Sequence, residues 1–263
     1  MVFLLDHQMR AKKQLGQHFL HDQQVIGRIL DTIRDNCQAP HPILEVGPGQ
    51  GVLTEIIAGH FDDFRAIELD RDMVAILNQK LNPEQIIHAD FLKVDLKEIF
   101  GDKSFNLVGN FPYNISSQII FKMLDNVTFI PTMIGMFQKE VAERICASPG
   151  SKKNGIISIR AQAMYNATML FDIDPSAFSP PPRVMSSMIM LTRKEDYSLP
   201  CDPLLFKNII KVSFGQRRKK LRNTLKSFLK DSSDPIFQKR PEHLSVEEFI
   251  NIANLIKSQN LDS

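Results

Sequence analysis

The chain has 263 residues, 43% of them hydrophobic and 24% charged, which excludes a disordered segment and leaves room for one full α/β domain of about 190 residues plus a small satellite. Its three cysteines, Cys37, Cys146 and Cys201, have neither paired nor C-x-x-C spacing, which argues against a disulfide framework or a zinc site and for a reducing compartment. No apolar run approaches the ~20 residues of a membrane span, and Val2-Phe3-Leu4-Leu5 is too short for a signal sequence, so a cytoplasmic location without a membrane partner is expected.

Asp22 is placed to cap a first helix in which Val25, Ile26, Ile29, Leu30 and Ile33 keep helical spacing. Ile43-Leu44-Glu45-Val46 then reads as a strand running into Gly47-Pro48-Gly49-Gln50-Gly51, followed by Val52, Leu53, Ile56 and Ile57 at helical spacing. Alternate glycines let backbone pass close to a ligand, and the helix start behind them offers free N–H groups, so a nucleotide-like cofactor fits. The spacing is G-x-G-x-G, unlike the dinucleotide fingerprint, and no G-x-x-x-x-G-K-[ST] phosphate loop occurs. Glu45, just before the first glycine, suits the cationic, amine-bearing S-adenosylmethionine better than a pyrophosphate.

Phe64-Arg65-Ala66-Ile67 reads as a second strand ending at Glu68, about 20 residues past the glycine loop, where a carboxylate accepts from ribose hydroxyls. A third strand, Ile86-Ile87-His88-Ala89, ends at Asp90, placed for the cofactor's adenine amine, with Phe91 available to cover the ring. Phe105, Leu107 and Val108 lead into Asn110-Phe111-Pro112-Tyr113, an N-[LIF]-P-[YF] element suited to methyl transfer onto an exocyclic amine. There Asn110 and the Phe111 carbonyl can accept from both N6 hydrogens of adenine, Pro112 fixes the backbone angle, and the Tyr113 ring offers a face for an unstacked base. Each acid alone is an ordinary strand-end or capping residue, and Asn-x-Pro alone is ordinary turn chemistry. Four such elements at successive strand ends meet where open α/β sheets bind ligands.

Further strands are expected at Met133-Ile134-Gly135-Met136-Phe137, Met169-Leu170-Phe171 and residues 185–191, the last antiparallel, with a short helix at 139–145. The 148–154 loop, rich in small and basic residues, touches RNA or nothing, and Pro180-Pro181-Pro182 forms a stiff connector beside the site. A composition shift at 197–203 divides the chain into a catalytic domain, 1–195, and a helical domain, 196–263. The net charge of +2 conceals a concentration, because residues 211–230 carry +8 with no acid and leave −6 for the rest. A focused run such as Arg217-Arg218-Lys219-Lys220, with Arg222 beyond it, is the footprint of phosphate binding, while Leu221, Leu225, Phe228 and Leu229 beside it are core.

These motifs, together with Lys12-Lys13-Gln14-Leu15-Gly16-Gln17-His18-Phe19-Leu20, Phe178-Ser179-Pro180-Pro181-Pro182-Arg183-Val184 and Phe214-Gly215-Gln216-Arg217-Arg218-Lys219-Lys220-Leu221-Arg222-Asn223-Thr224-Leu225, resemble the KsgA/RsmA dimethyladenosine transferases of small-subunit ribosomal RNA over nearly the whole chain. The resemblance implies a Rossmann-like class I methyltransferase sheet with a small helical C-terminal domain. It implies S-adenosylmethionine as cofactor without a metal, held by His18, Leu20, Gly47, Gly49, Glu68, Asp90, Phe91 and Asn110. It makes Asn110, Phe111, Pro112 and Tyr113 the catalytic group, residues 12–20 a lid, and Arg217, Arg218, Lys219, Lys220 and Arg222 contacts to 16S rRNA in the assembling 30S subunit, with the protein a monomer. His18 stands where many members have Asn, and Phe111 where most have Leu or Ile. Three other readings stay open: an Erm-type enzyme acting on 23S rRNA, a DNA adenine methyltransferase, whose usual D-P-P-Y or N-P-P-Y is broken by Phe111, and a non-catalytic ribosome-assembly checkpoint.

Overall fold

The computed structural model describes residues 12, 16–37 and 40–261; residues 2–5 and 13–15, read above, lie outside them. Apolar runs without polar alternation make strands buried on both faces, as in β2 (Ile43–Val46) and β5 (Asn106–Asn110). Alternating with these and with β3 (Phe64–Glu68), β4 (Ile86–His88) and β6 (Thr132–Gln138) are helices α1 (Gln23–Asn36), α2 (Thr54–His60), α3 (Arg71–Leu77), α4 (Lys97–Phe100) and α5 (Ser116–Asp125), while a short β1 (Phe19–Leu20) precedes them. After β6 come α6 (Lys139–Ile145), α7 (Ile156–Met164), β7 (Tyr165–Ile173), β8 (Phe178–Ser179) and β9 (Ser186–Arg193), then α8 (Pro203–Gly215), α9 (Leu221–Thr224) and α10 (Val246–Leu261).

The main sheet has seven strands in the order β4-β3-β2-β5-β6-β9-β7. The first five are mutually parallel, and β9 runs antiparallel to both β6 and β7, the direction expected of it from sequence. The chain winds outward from β2 to β4 and then restarts on the other side with β5, so the crevice between the ends of β2 and β5 is a topological switch point. Adjacent residues of one strand feed opposite faces. Leu107 and Met133 pack with α5 residues Ile119, Ile120 and Met123, whereas Val108 and Ile134 pack with Ile26, Ile29 and Ile33 of α1. The Asp22 carboxylate caps α1 by accepting from the Gln24 and Val25 amides, as read from sequence.

A third apolar cluster joins Phe206, Ile209, Leu221, Leu225, Phe237, Phe249 and Ile252, with Ile159 of α7 reaching into it. Two local expectations need correction. The helix after the glycine loop begins only at Thr54, so Val52 and Leu53 belong to the turn, and Ile56 is 45% exposed while Ile57 is buried. Of the four apolar residues expected as core beside the basic run, Leu221 and Leu225 are buried, but α8 ends at Gly215, a turn intervenes and α9 spans only four residues, leaving Phe228 and Leu229 half-buried beyond it. Among the described residues no helix is long and apolar enough to cross a membrane.

Candidate active site

Glycine loop, Glu68, Asp90 and Asn110 line one cleft at the carboxyl ends of β2 to β5, together with His18, Leu20, Phe91 and the Phe111-Pro112-Tyr113 backbone. Gly47 and Gly49 have φ of +71° and +58°, which side chains rarely adopt. Space also restricts them: a Cβ on Gly47 would lie 3.3 Å from Pro112 Cδ, and one on Gly49 would meet the Phe19 ring at 3.5 Å. The two motifs therefore pack against each other, and the lip formed by β1 closes over the loop.

Glu68 ends β3 with both oxygens engaged, accepting from the Asp70 amide at 2.8 Å and the Gly49 amide at 3.1 Å. Burial nevertheless raises its pKa above the ordinary carboxylate value, against the pull of those backbone donors. Behind it, Glu45 is 2% exposed, with Oε2 unpartnered among the described residues. Burial pushes its carboxyl up to about 8, the Thr54 hydroxyl opposing and the Glu68 charge adding. An orphaned acid at the cleft wall fits a cationic ligand. Asp90 accepts from the Leu92 amide at 3.0 Å and faces Lys93 at 3.7 Å, which leaves it partly open, and Phe91 is 4% exposed under the Lys122 ammonium, 5.3 Å from its ring centroid.

Asn110 ends β5, and its Nδ2 donates to the His18 carbonyl at 3.3 Å, while its Oδ1 accepts nothing among the described residues. The Tyr113 hydroxyl pairs with Ser186 Oγ at 2.5 Å, and burial raises its pKa although Ser186 opposes the shift. The Tyr113 and His18 rings lie 5.4 Å apart, tilted by 30°, so two aromatic groups flank the mouth of the cleft. The Phe111 side chain turns away from the cleft: it is fully buried against Phe137, ring centroids 5.1 Å apart, which leaves the backbone, the part given a role from sequence, beside the cleft. Its ring lies over two glycines, and a Cβ on Gly135 would fall 2.1 Å from it and one on Gly109 3.1 Å. Gly135 makes the room that the phenyl ring needs.

The lip is held from several sides. Phe19 and Leu20 pair antiparallel with Ser179 and Phe178, His18 Nδ1 donates to the Pro180 carbonyl at 2.7 Å, and Lys12 and Gln17 donate to Asp70 at 2.6 and 2.8 Å. Burial works against the Asp70 charge, yet Lys12 and Gln17 outweigh it and keep its pKa below the ordinary value. Sequence reasoning missed Asp70, Ser186 and the Pro180 carbonyl. Asp70 carried one signal, its position as cap of α3, where it accepts from the Asp72 amide. The basic residues lie away from this cleft, on α8, α9 and their connecting turn; Arg218, Lys219, Lys220 and Arg222 are exposed, and Arg217 is half-buried.

Residues 8–261 match the ribosomal RNA adenine dimethylase family. The chain is 50% identical over 256 residues to the ribosomal RNA small subunit methyltransferase A of Phocaeicola vulgatus, covering 95% of this chain and 91% of that one. To the protein of the same name in Flavobacterium johnsoniae it is 47% identical over 260 residues, covering 97% and 99%. In fold it is similar to a dimethyladenosine transferase from Plasmodium falciparum, with TM-score 0.76, 21% identity and coverage of 92% and 98%. The 23S rRNA methyltransferase ErmE follows with TM-score 0.65, 22% identity and coverage of 90% and 99%. With a glycine-loop cleft, an N-F-P-Y strand end and relatives at half identity along nearly all of its length, the chain belongs to the ribosomal RNA adenine dimethylase family.

Proposed function

We propose that this protein transfers methyl groups from S-adenosylmethionine to N6 of two adjacent adenosines in the 3′-terminal hairpin of 16S rRNA, in the cytoplasm, as a monomer acting during 30S biogenesis. The observation that carries the reading is the convergence of the glycine loop, Glu68, Asp90 and Asn110-Phe111-Pro112-Tyr113 in a single cleft. The cofactor fits the residues present, since the positive-φ glycines give a close backbone cradle and the unpartnered Glu45 oxygen favours a cation. Glu68 is assigned to ribose hydroxyls, Asp90 to the adenine amine and Phe91 to its ring, with His18, Leu20, Gly47 and Gly49 completing the contact.

When bound, S-adenosylmethionine supplies a methyl group already activated by its sulfonium. The protein's part is orientation and electrostatics, worth several kcal/mol in such sites. Asn110 Oδ1 and the Phe111 carbonyl accept the two N6 hydrogens, which lets the nitrogen pyramidalise as it attacks. Tyr113, fixed by Ser186, and His18, fixed by the Pro180 carbonyl, flank the unstacked base. The amine proton becomes acidic once the nitrogen is alkylated and leaves to solvent, so no dedicated base is required.

Residues 1–195 are assigned to catalysis and 196–263 to RNA docking, with Arg217, Arg218, Lys219, Lys220 and Arg222 as the basic contact set; the third apolar cluster, centred on α8, α9 and α10 and joined by Ile159 of α7, supports that division. The test is transfer of labelled methyl from S-adenosylmethionine to unmethylated 30S particles, unmethylated 50S particles and DNA, with identification of the modified nucleoside. Dimethyladenosine in 30S RNA alone is expected. Label on 50S moves the reading to the Erm branch, and cofactor binding without any transfer moves it to an assembly checkpoint.

A further inference from the structure

Elsewhere in the protein several cations are neutralised internally: Lys80, Lys139, Arg144, Lys153 and Lys239 each pair with a carboxylate. In the basic stretch, by contrast, Lys211, Arg217, Arg218, Lys219, Lys220, Arg222 and Lys226 form no ion pair among the described residues. Unpaired positive charge this dense repels itself unless a polyanion meets it. One of these groups is nonetheless occupied, because the Arg217 guanidinium donates to the backbone carbonyl of Lys152, in the 148–154 loop.

That loop is pinned far more firmly than an exposed connection requires. Its Gly150 amide donates to the Glu242 carbonyl at 2.8 Å, and Asn154, with no exposed surface, donates to the Glu242 and Leu244 carbonyls at 3.0 and 3.2 Å. Inside the loop, the Lys153 amide donates to Ser151 Oγ at 3.1 Å and the Asn154 amide to the Ser151 carbonyl, also at 3.1 Å. The Lys153 ammonium is spent on Glu143. What the pinned loop presents outward is the Lys152 side chain, exposed, with no ion pair among the described residues and set beside the basic turn by Arg217.

We infer that the 148–154 loop is the second half of the phosphate-binding face, with Lys152 a phosphate contact and Arg217 the strut that places it. The inference rests on the RNA substrate proposed above and changes the assignment of one residue in it: Arg217 acts through Lys152 rather than on phosphate directly. The face then spans two connections, the loop before α7 and the turn between α8 and α9, and recognises spaced backbone phosphates of folded RNA.

Binding of the full-length protein to unmethylated small-subunit particles, measured across a salt series, separates these roles, because the slope of log K against log salt falls by about one for each phosphate no longer neutralised. Lys152→Gln is expected to lower the slope by about one, and Arg217→Ala by about as much. Combining them should cost no more than either alone, since both act on the same phosphate. A Lys152→Gln slope equal to that of the unsubstituted protein overturns the inference, and an additive decrease of about two overturns the strut. Unchanged S-adenosylmethionine affinity in every variant shows that folding is intact. If the unsubstituted protein itself fails to bind the particles, the RNA reading falls and this inference with it.

Discussion

Asn110 donates through its amide nitrogen to the His18 carbonyl of the lip, and its Oδ1, without a partner among the described residues, is the oxygen proposed to meet the target amine. Because that oxygen does its work on the acceptor nitrogen, Asn110→Ala should reduce methyl transfer about a hundredfold while shifting cofactor affinity far less. Equilibrium binding beside single-turnover transfer decides it, and equal losses in both would sink the role. Glu45 gives a second test. Its carboxyl titrates at 4.5 in an unperturbed setting and at about 8 in the fold, so between those values the folded state holds a proton that the unfolded chain has lost. Stability of the cofactor-free protein should therefore decline as pH rises from about 4.5 to about 8. Glu45→Gln removes its share of that decline, leaving what Glu68 contributes with the same sign. Thermal midpoints measured across this range should converge at the acid end and separate at the alkaline end; parallel curves would refute the assignment. Glu68, Asp90 and Asn110 were legible because strand-end position is written in local periodicity. Asp70 and Ser186 were not, since what gives them a role is a partner 53 or 73 positions away in the chain.

Strands and helices that bury a face along their whole length were readable, and those whose ends depend on tertiary contact were not. β2, β3, β5 and β6 fall within a residue or two of their apolar runs. The start of α2 slipped by two residues because Val52 and Leu53 complete the turn of the glycine loop, and Phe228 and Leu229 lost their place in the core because the four-residue α9 ends before them. Across β5 and β6 the fit of Phe111 over Gly135 is a pairwise property that no single-position reading reveals. Gly135→Ala is expected to destabilise the protein by about 1–3 kcal/mol, since the added carbon would lie 2.1 Å from the ring. Adding Phe111→Leu should recover part of that loss, so the double variant unfolds less readily than the sum of the two single effects predicts. Strict additivity in denaturant melts would mean that the ring and the glycine do not constrain each other.

Three apolar clusters hold the molecule, two against the sheet and one among α8, α9, α10 and their connections, with α7 shared through Ile159. A cavity at fully buried Leu221 should cost about 2–5 kcal/mol locally while leaving the cofactor cleft assembled. Leu221→Ala would then lose affinity for small-subunit particles before it loses S-adenosylmethionine binding on mild heating; simultaneous loss of both would argue against the division at 195. The clasp between Phe19–Leu20 and Phe178–Ser179 has a further consequence, in time rather than space. Glycine loop, Glu68, Asp90 and Asn110 are all made well before residue 178, whereas the lip, although it precedes them all in the chain, waits for a partner near the end of the sheet. A nascent chain thus owns the polar strand ends of the cleft, and the Asp70 and Asn110 contacts to the lip, before the β8 half of the clasp exists, and closing this long loop becomes one of the later steps of maturation.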